Sequence, residues 1–383
     1  MRTSSGCPNC QPAGHSGAFG RSAGLPSAWP PLTVKMGSKL IDIPAGQPDY
    51  VITDTYELPV PVDLMSVYPH AHYLGREMRV TATLPDGAVK TLLYIKQWSF
   101  HWQQDYRYAT PIPLPRGTKL TMQYTYDNSE SNDENPRHPP VRVRLGPKST
   151  DEMAELGLQV MPKSTADAAL LVQGFNDRDS LANVALGEMR VREAPNDAGN
   201  QTFLGGAYVE VGRFADAIPH LEEALRLDER SASAHSDLGT ALMARERLPD
   251  ALVHLRRAAA LAPRDEVMQF NLGNALNRAS RFDEAAAAYE RALAINPEFP
   301  DAHVNLGTLL FAHRGVKDAL PHFERAVALK PNSAVIHGNF GSALAASGRF
   351  AEALREFRRA LSLNPEYGPA VENVKRLEQM GIR

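Results

Sequence analysis

Residues 232–263 read ASAHSDLGTALMARERLPDALVHLRRAAALAP, and the pattern of small and apolar residues in this stretch decides how the second half of the chain folds. The pattern recurs every 34 residues. Its recurring positions are Leu204-Gly205, Leu238-Gly239, Leu272-Gly273, Leu306-Gly307 and Phe340-Gly341, then Ala217, Ala251, Ala285, Ala319 and Ala353, and finally Ala224, Ala258, Ala292, Ala326 and Ala360. A fixed period of this length indicates equal units that bury their apolar faces against one another. Five units in one register predict an all-α repeat array over residues 198–367.

Close packing of two helices explains the residue types in each unit. Gly and Ala permit antiparallel helices to approach more closely than larger side chains would. Proline ends four of the five units, at Pro263, Pro297, Pro331 and Pro365, because it cannot continue a helix. This register resembles the tetratricopeptide repeat (TPR). The resemblance implies a superhelix of helix pairs whose inner groove binds a protein or peptide partner.

Segments on either side of the five repeats follow the same logic. Leu170 and Pro195 fall on the repeat register, so residues 163–197 are predicted to form a degenerate TPR-like helical unit. Residues 368–383 carry Val371, Val374 and Leu377 on one stripe, as expected for the polar-faced helix that caps such an array.

The predicted groove carries a polar residue at one recurring position. The recurring residues are Asn271, Asn305 and Asn339, and the positions before them hold Phe270, Val304 and Gly338. The asparagines either hydrogen-bond the backbone of an extended peptide or are simply a common residue of these repeats. The absence of basic residues beside them disfavours a partner that is held by its terminal carboxylate.

Residues 37–162 have a different pattern, in which apolar and polar residues alternate. Residues 119–126, KLTMQYTY, are an example, and turn signals such as Pro85-Asp86-Gly87 separate the alternating runs. Period-two alternation between such turns predicts an antiparallel β-sandwich or jelly roll. We therefore expect a multidomain chain, with this β-domain followed by the TPR superhelix.

Two histidines in the β-domain suggest a metal site. His70 and His72 are two residues apart, and on a strand such residues point to the same face. Both imidazoles can then reach one metal ion. A third ligand is needed, and His101 and His138 are local candidates.

Three ordered motifs carry a more specific resemblance. They are His70-Ala71-His72-Tyr73-Leu74-Gly75, Trp98-Ser99-Phe100-His101-Trp102-Gln103 and Ser149-Thr150-Asp151-Glu152-Met153. Together they resemble the C-terminal domain of copper type II, ascorbate-dependent monooxygenases. The intervening Tyr126-Asp127-Asn128-Ser129 and Pro139-Pro140 also resemble bacterial members joined to TPR repeats. The resemblance implies one copper ion bound by His70, His72 and Met153, with His101 and His138 as surface or second-shell groups. Two imidazoles and a thioether favour Cu(I).

The resemblance implies an oxidoreductase, a copper-dependent hydroxylase of an unidentified C–H substrate or a fragment of one. Two departures from the family pattern matter, and the first of them counts against activity. Only His15 precedes His70, so the family's second copper domain is missing from this chain, and Ala154 replaces a cysteine of the animal enzymes. The reaction needs two electrons per turnover, and one copper supplies one. The alternatives are a non-catalytic interaction scaffold with a degenerate β-domain, and copper trafficking or sensing.

Composition and the first residues bound the remaining possibilities. A net charge of −3 gives no case for a nucleic-acid partner, and without a run of about 18 apolar residues no membrane span is expected. Residues 1–36 are predicted to be a disordered lead without the apolar core of a secretory signal. Its Cys7 and Cys10 form either a metal or redox pair or an incidental one. The chain is therefore cytosolic or begins downstream of its natural start, and the resemblance favours the periplasm or the cell exterior.

Overall fold

The computed structural model describes residues 31–382, except for the side chain of Trp102. The chain divides into two compact units, which meet in sequence between residues 186 and 187. Residues 1–30 of the predicted lead, with Cys7, Cys10 and His15, lie outside the described residues. The end of the predicted lead differs from the prediction, because residues 32–36 belong to a β-strand.

The first unit contains the β-rich region. Its strands β1 to β10 span Leu32–Gly37, Asp42–Ile43, Tyr50–Glu57, Val62–His70, Gly75–Thr83, Val89–Ile95, Tyr106–Leu114, Lys119–Tyr126, Val143–Arg144 and Glu155–Pro162. A short 3-10 helix covers Phe100–Trp102. The alternation seen in the sequence matches the strands: in β8, every second side chain from Leu120 onward is buried.

The strands form antiparallel sheets. One four-stranded sheet has the order β1-β10-β4-β7, a second has the order β3-β8-β5-β6, and β2 pairs with β9. Leu64 and Leu158 of the first sheet and Met78 and Tyr124 of the second belong to one buried core. The β-rich region is thus confirmed, while the jelly-roll connectivity stays a prediction.

A single long helix follows the last strand. Helix α1 spans Thr165–Glu193 without interruption, so residues 163–197 hold one continuous helix where a repeat unit would have a helix pair. Of the two register positions that suggested a repeat unit, Leu170 lies in the first part of this helix and Pro195 lies two residues after its end. The small residues that let two helices approach are missing from this register.

The first part of α1 packs on the β-rich region. Phe175 joins the sheet core, and its ring centroid lies 4.0 Å from that of Tyr56. Arg178 pairs with Asp54 of β3. Gly174 faces the Tyr56 hydroxyl, where an added Cβ would collide, so this glycine permits the close approach of the helix.

The second unit consists of helix pairs. Helices α2 to α11 span Ala198–Glu210, Phe214–Leu227, Ala232–Ala244, Leu248–Leu261, Glu266–Arg278, Phe282–Ile295, Pro300–His313, Val316–Leu329, Ala334–Ala346 and Phe350–Leu363. The even-numbered helices are the first, or A, helices of the five repeats, and the odd-numbered helices are the second, or B, helices. The prediction of a helical superhelix in this half is confirmed.

The recurring glycines lie where the A and B helices of each repeat come closest. A Cβ added at Gly273 would lie 2.6 Å from the Tyr289 ring, and one at Gly341 would lie 2.9 Å from the Phe357 ring. No real Cβ tolerates such contacts without a shift of its neighbours. The B helices end two residues before Pro263, Pro297, Pro331 and Pro365, as the sequence predicts.

The A helices of neighbouring repeats also contact one another. Contacts join α2 to α4, α4 to α6, α6 to α8 and α8 to α10, so the A helices form a continuous layer. Helix α12, Gly368–Gln379, packs on α11, and its Ala370 and Leu377 are buried. Val371, which the sequence placed on the apolar stripe, is exposed, so that part of the prediction is wrong.

Candidate functional site

The two histidines lie at the end of β4 and just beyond it. His70 is the last residue of the strand, and His72 lies in the connection to β5, so the second histidine is not on a strand as the sequence suggested. Both are largely buried, and their ring centroids are 5.3 Å apart with the ring planes at 87°. This separation is within reach of one ion bound about 2.0–2.1 Å from a nitrogen of each ring.

Hydrogen bonds determine which nitrogen of each ring carries the hydrogen. The Nδ1 of His72 lies 3.0 Å from the carbonyl oxygen of Asp151, and a carbonyl only accepts, so Nδ1 carries the hydrogen. The Nδ1 of His70 likewise donates to Oε1 of Gln103, whose amide nitrogen donates to the carbonyl of Phe100 at 3.1 Å. With Nδ1 as the donor, Nε2 is the nitrogen of each ring that can bear a lone pair.

The Nε2 atom of His72 has no hydrogen-bond partner. Within the described part of the chain it is the one buried side-chain nitrogen or oxygen in this condition. Burial lowers the pKa of His72, which keeps the ring neutral. A buried polar atom without a partner is costly, and a neutral imidazole whose other nitrogen donates to a carbonyl is the usual form of a metal ligand.

Glu152 ties the Asp-Glu-Met motif to the histidines. Its carboxylate accepts the backbone N–H groups of His72, of Leu74 at 3.0 Å and of Met153 at 2.9 Å. His72 and Met153 donate to the same oxygen, so their backbones are neighbours. Antiparallel pairing of β4 with β10 ends at the pair His70 and Glu155, and its continuation would place Met153 opposite His72.

The buried carboxylate of Glu152 is a structural group of this site. Burial outweighs the opposing effect of its three N–H donors, so the pKa of Glu152 is raised to about 8. The sequence predicted Met153 of this motif as a ligand and gave Glu152 no role. In the structure, the Glu152 side chain holds the loop that carries His72.

Aromatic residues of the second motif contact His72. The Phe100 ring meets the His72 ring edge-on at 5.6 Å, and the indole N–H of Trp98 donates to the His72 carbonyl at 3.2 Å. Gly75 leaves room for Trp98, since a Cβ there would lie 2.8 Å from the indole. The three motifs of the sequence are therefore joined by direct contacts.

The other two candidate ligands differ from His70 and His72 in exposure. His101 and His138 have exposed side chains. No group of three His, Cys, Asp or Glu side chains in the described residues could hold a metal ion. The set His70, His72 and Met153 has a different composition, with two nitrogen donors and one sulfur donor.

Two of the recurring asparagines form hydrogen bonds with the neighbouring repeat. The side-chain amide of Asn271 donates to the Ser236 hydroxyl at 3.0 Å, and that of Asn305 donates to Oδ1 of Asn274 at 2.8 Å. These bonds link α6 to α4 and α8 to α6. At least part of the hydrogen-bonding capacity of these residues thus holds adjacent repeats together.

Comparison with known proteins bears on the repeats. Family models described as tetratricopeptide repeat match residues 204–266 and 270–334, and also residues 316–377. The C-terminal part of the chain therefore consists of TPR repeats, a class that binds peptide or protein partners. No curated protein matches the chain. No helix within residues 31–382 is long and apolar enough to cross a bilayer.

Several solved structures are similar to about half of the chain. YrrB, described as a TPR protein with an unusual peptide-binding site, is 21% identical, with a TM-score of 0.42 over 49% of this chain and 97% of its own. Pseudomonas aeruginosa pilF is 22% identical, with a TM-score of 0.45 over 48% of this chain and 84% of its own. MamA is 24% identical, with a TM-score of 0.39 over 43% and 95%.

Proposed function

We propose that this protein is a TPR interaction scaffold whose β-rich region binds one copper ion through His70, His72 and Met153. The observation that carries the copper proposal is the buried Nε2 of His72, a lone-pair nitrogen without a partner among the described residues. His70, with its Nδ1 bonded to Gln103, offers a second imidazole whose ring centroid lies 5.3 Å away.

The donor set fits copper better than a hard cation. Two imidazoles and a thioether form a soft site, whereas Mg²⁺ and Ca²⁺ prefer oxygen ligands. When bound, copper would supply one-electron redox chemistry at this position. The chain itself holds the ligand nitrogens in the required tautomer through Gln103 and the Asp151 carbonyl, and the Phe100 ring packs edge-on against the buried His72 ring.

The test is a Cu(I) titration of the metal-free full chain against a chromophoric competitor. We expect one tightly bound copper ion in the wild type. His72→Ala and Met153→Leu should each weaken binding, by about tenfold or more if each removes a ligand. His101→Ala is the matched control, because its exposed imidazole belongs to the same motifs, and should leave affinity unchanged.

Circular dichroism of each variant establishes that the β-rich region remains folded. Absence of tight copper binding in the wild type, or binding that neither His72→Ala nor Met153→Leu alters, contradicts the copper proposal. The remaining function would then be the interaction scaffold alone, with a β-domain that carries no metal.

Hydroxylation of a C–H substrate is the finer hypothesis that the family resemblance suggests. It requires two electrons per turnover, so the copper-loaded protein should be assayed for oxygen consumption with an external reductant. Consumption that depends on His72 and on added substrate would support an enzyme. Consumption equal to that of free copper would support a non-catalytic scaffold.

A further inference from the structure

One carboxylate interrupts the amide residues of the A-helix layer. Asp237 in α4 occupies the repeat position that holds Asn271, Asn305 and Asn339 in the next three repeats and Phe203 in the one before. Helix α4 contacts both α2 and α6, so this position lies in the layer that the A helices share.

The Asp237 carboxylate is partly desolvated and has no nearby counter-charge. Its Oδ2 lies 2.9 Å from the position that a Cβ of Gly206 would take, so the carboxylate occupies room that the glycine of the preceding repeat leaves open. The side chain is half-buried. Burial alone raises its pKa to about 6, with no contribution from a nearby cation.

Asp237 also has no hydrogen-bond or ion-pair partner among residues 31–382. By contrast, Asn271 and Asn305 each donate to a polar atom of the preceding A helix. Arg190, at the same end of the array, has its guanidinium 4.9 Å over the Phe203 ring and does not pair with Asp237. The fold therefore keeps a partly desolvated carboxylate that stabilises nothing within the chain.

An external cation would satisfy this group. We propose that the A-helix layer binds an extended peptide that places a lysine or arginine side chain against Asp237. The neighbouring positions favour this charge, because Ser236, Phe270, Val304 and Gly338 provide no cation that would hold an acidic partner. The inference rests on the interaction role of the TPR repeats and is independent of copper.

Selection from a displayed library of random decapeptides, with the full chain as bait, tests the proposal. Peptides selected by the wild type should carry Lys or Arg at one fixed place. Asp237→Asn should lose this preference, and it will fold because asparagine is the residue that three other repeats use at this position. Asp250→Asn is the control, since Asp250 is exposed on the B helix α5 and pairs with Arg247.

The affinity of one selected peptide then measures the strength of its contact with Asp237. Changing its basic residue to Gln should weaken binding to the wild type by about tenfold, and Asp237→Asn should weaken binding of the original peptide to the same extent. The double change should cause little further loss, because both single changes remove one contact.

The remaining outcomes overturn the proposal in distinguishable ways. Selected peptides without a basic preference, or with one that persists in Asp237→Asn, refute the role of Asp237 and leave the scaffold intact. A wild type that selects no peptide removes the peptide-binding function itself. Self-association that Asp237→Asn abolishes would assign the carboxylate to a second copy of the chain.

Discussion

Replacing Asp237 by Asn should stabilise the TPR array at neutral pH. An unfolded chain exposes this carboxylate to water, whereas the folded array buries much of it without a cation or donor. The ordinary pKa is 3.8 and the folded value is about 6. The interval of roughly two pH units, at 1.36 kcal/mol per unit, corresponds to a penalty of about 3 kcal/mol at pH 7.

The sign of the pH dependence follows from proton binding. Below pH 3.8 both states of the wild type are protonated and the carboxyl imposes no penalty. Between pH 3.8 and about 6 the unfolded state releases its proton first, so stability falls as the pH rises. The advantage of Asp237→Asn should therefore be near zero at the acid end of this window and complete above it.

Urea unfolding followed by far-ultraviolet circular dichroism measures the effect across this pH range. Asp250→Asn is again the control and should change stability by no more than about 0.5 kcal/mol, because its ion pair is exposed. An equal effect of Asp237→Asn at both ends of the pH range, or no stabilisation at neutral pH, would refute the claim that the carboxylate is desolvated and unpaired.

Two further predictions concern other buried groups. Glu152→Ala leaves three backbone N–H groups without their acceptor and should destabilise the β-rich region by about 3 kcal/mol or more. Tryptophan fluorescence during urea unfolding measures this change, and an unfolding midpoint equal to that of the wild type would show that Glu152 does not hold the loop. Glu356 lies 2.6 Å from Nδ1 of His337 and raises the pKa of that histidine, so the pair stabilises the fold fully below pH 6.5 and loses this contribution as the pH rises through the raised pKa. Glu356→Gln should therefore destabilise the array by about 1–2 kcal/mol below pH 6.5 and much less at about pH 9, and an effect independent of pH would contradict the assignment.

The repeat array was predictable because its packing rule is local and repeated. Gly273 and Gly341 each face one large residue of the same repeat, and this pairing recurs with the 34-residue period. The prolines mark helix ends through their own covalent structure. The long helix α1 was not predicted as one element, because two register positions do not reveal whether a turn lies between them.

The candidate copper site was only partly readable from the sequence. His70, His72 and Met153 stand in recognisable motifs, but their use as ligands remains a proposal. The roles of Glu152 and Gln103 became visible only in the structure, because each forms a hydrogen bond with a histidine that is distant in sequence. A hydrogen bond between Glu152 and a backbone N–H across 80 residues leaves no periodic trace.

The sequence by itself determined the β-rich first part, the TPR register and the identities of the candidate ligands, because periodicity and covalent chemistry are properties of neighbours along the chain. Only the tertiary structure decided which imidazole nitrogen is free and that Asp237 lacks a partner. Both facts depend on which groups the fold brings within hydrogen-bond distance and which it removes from water.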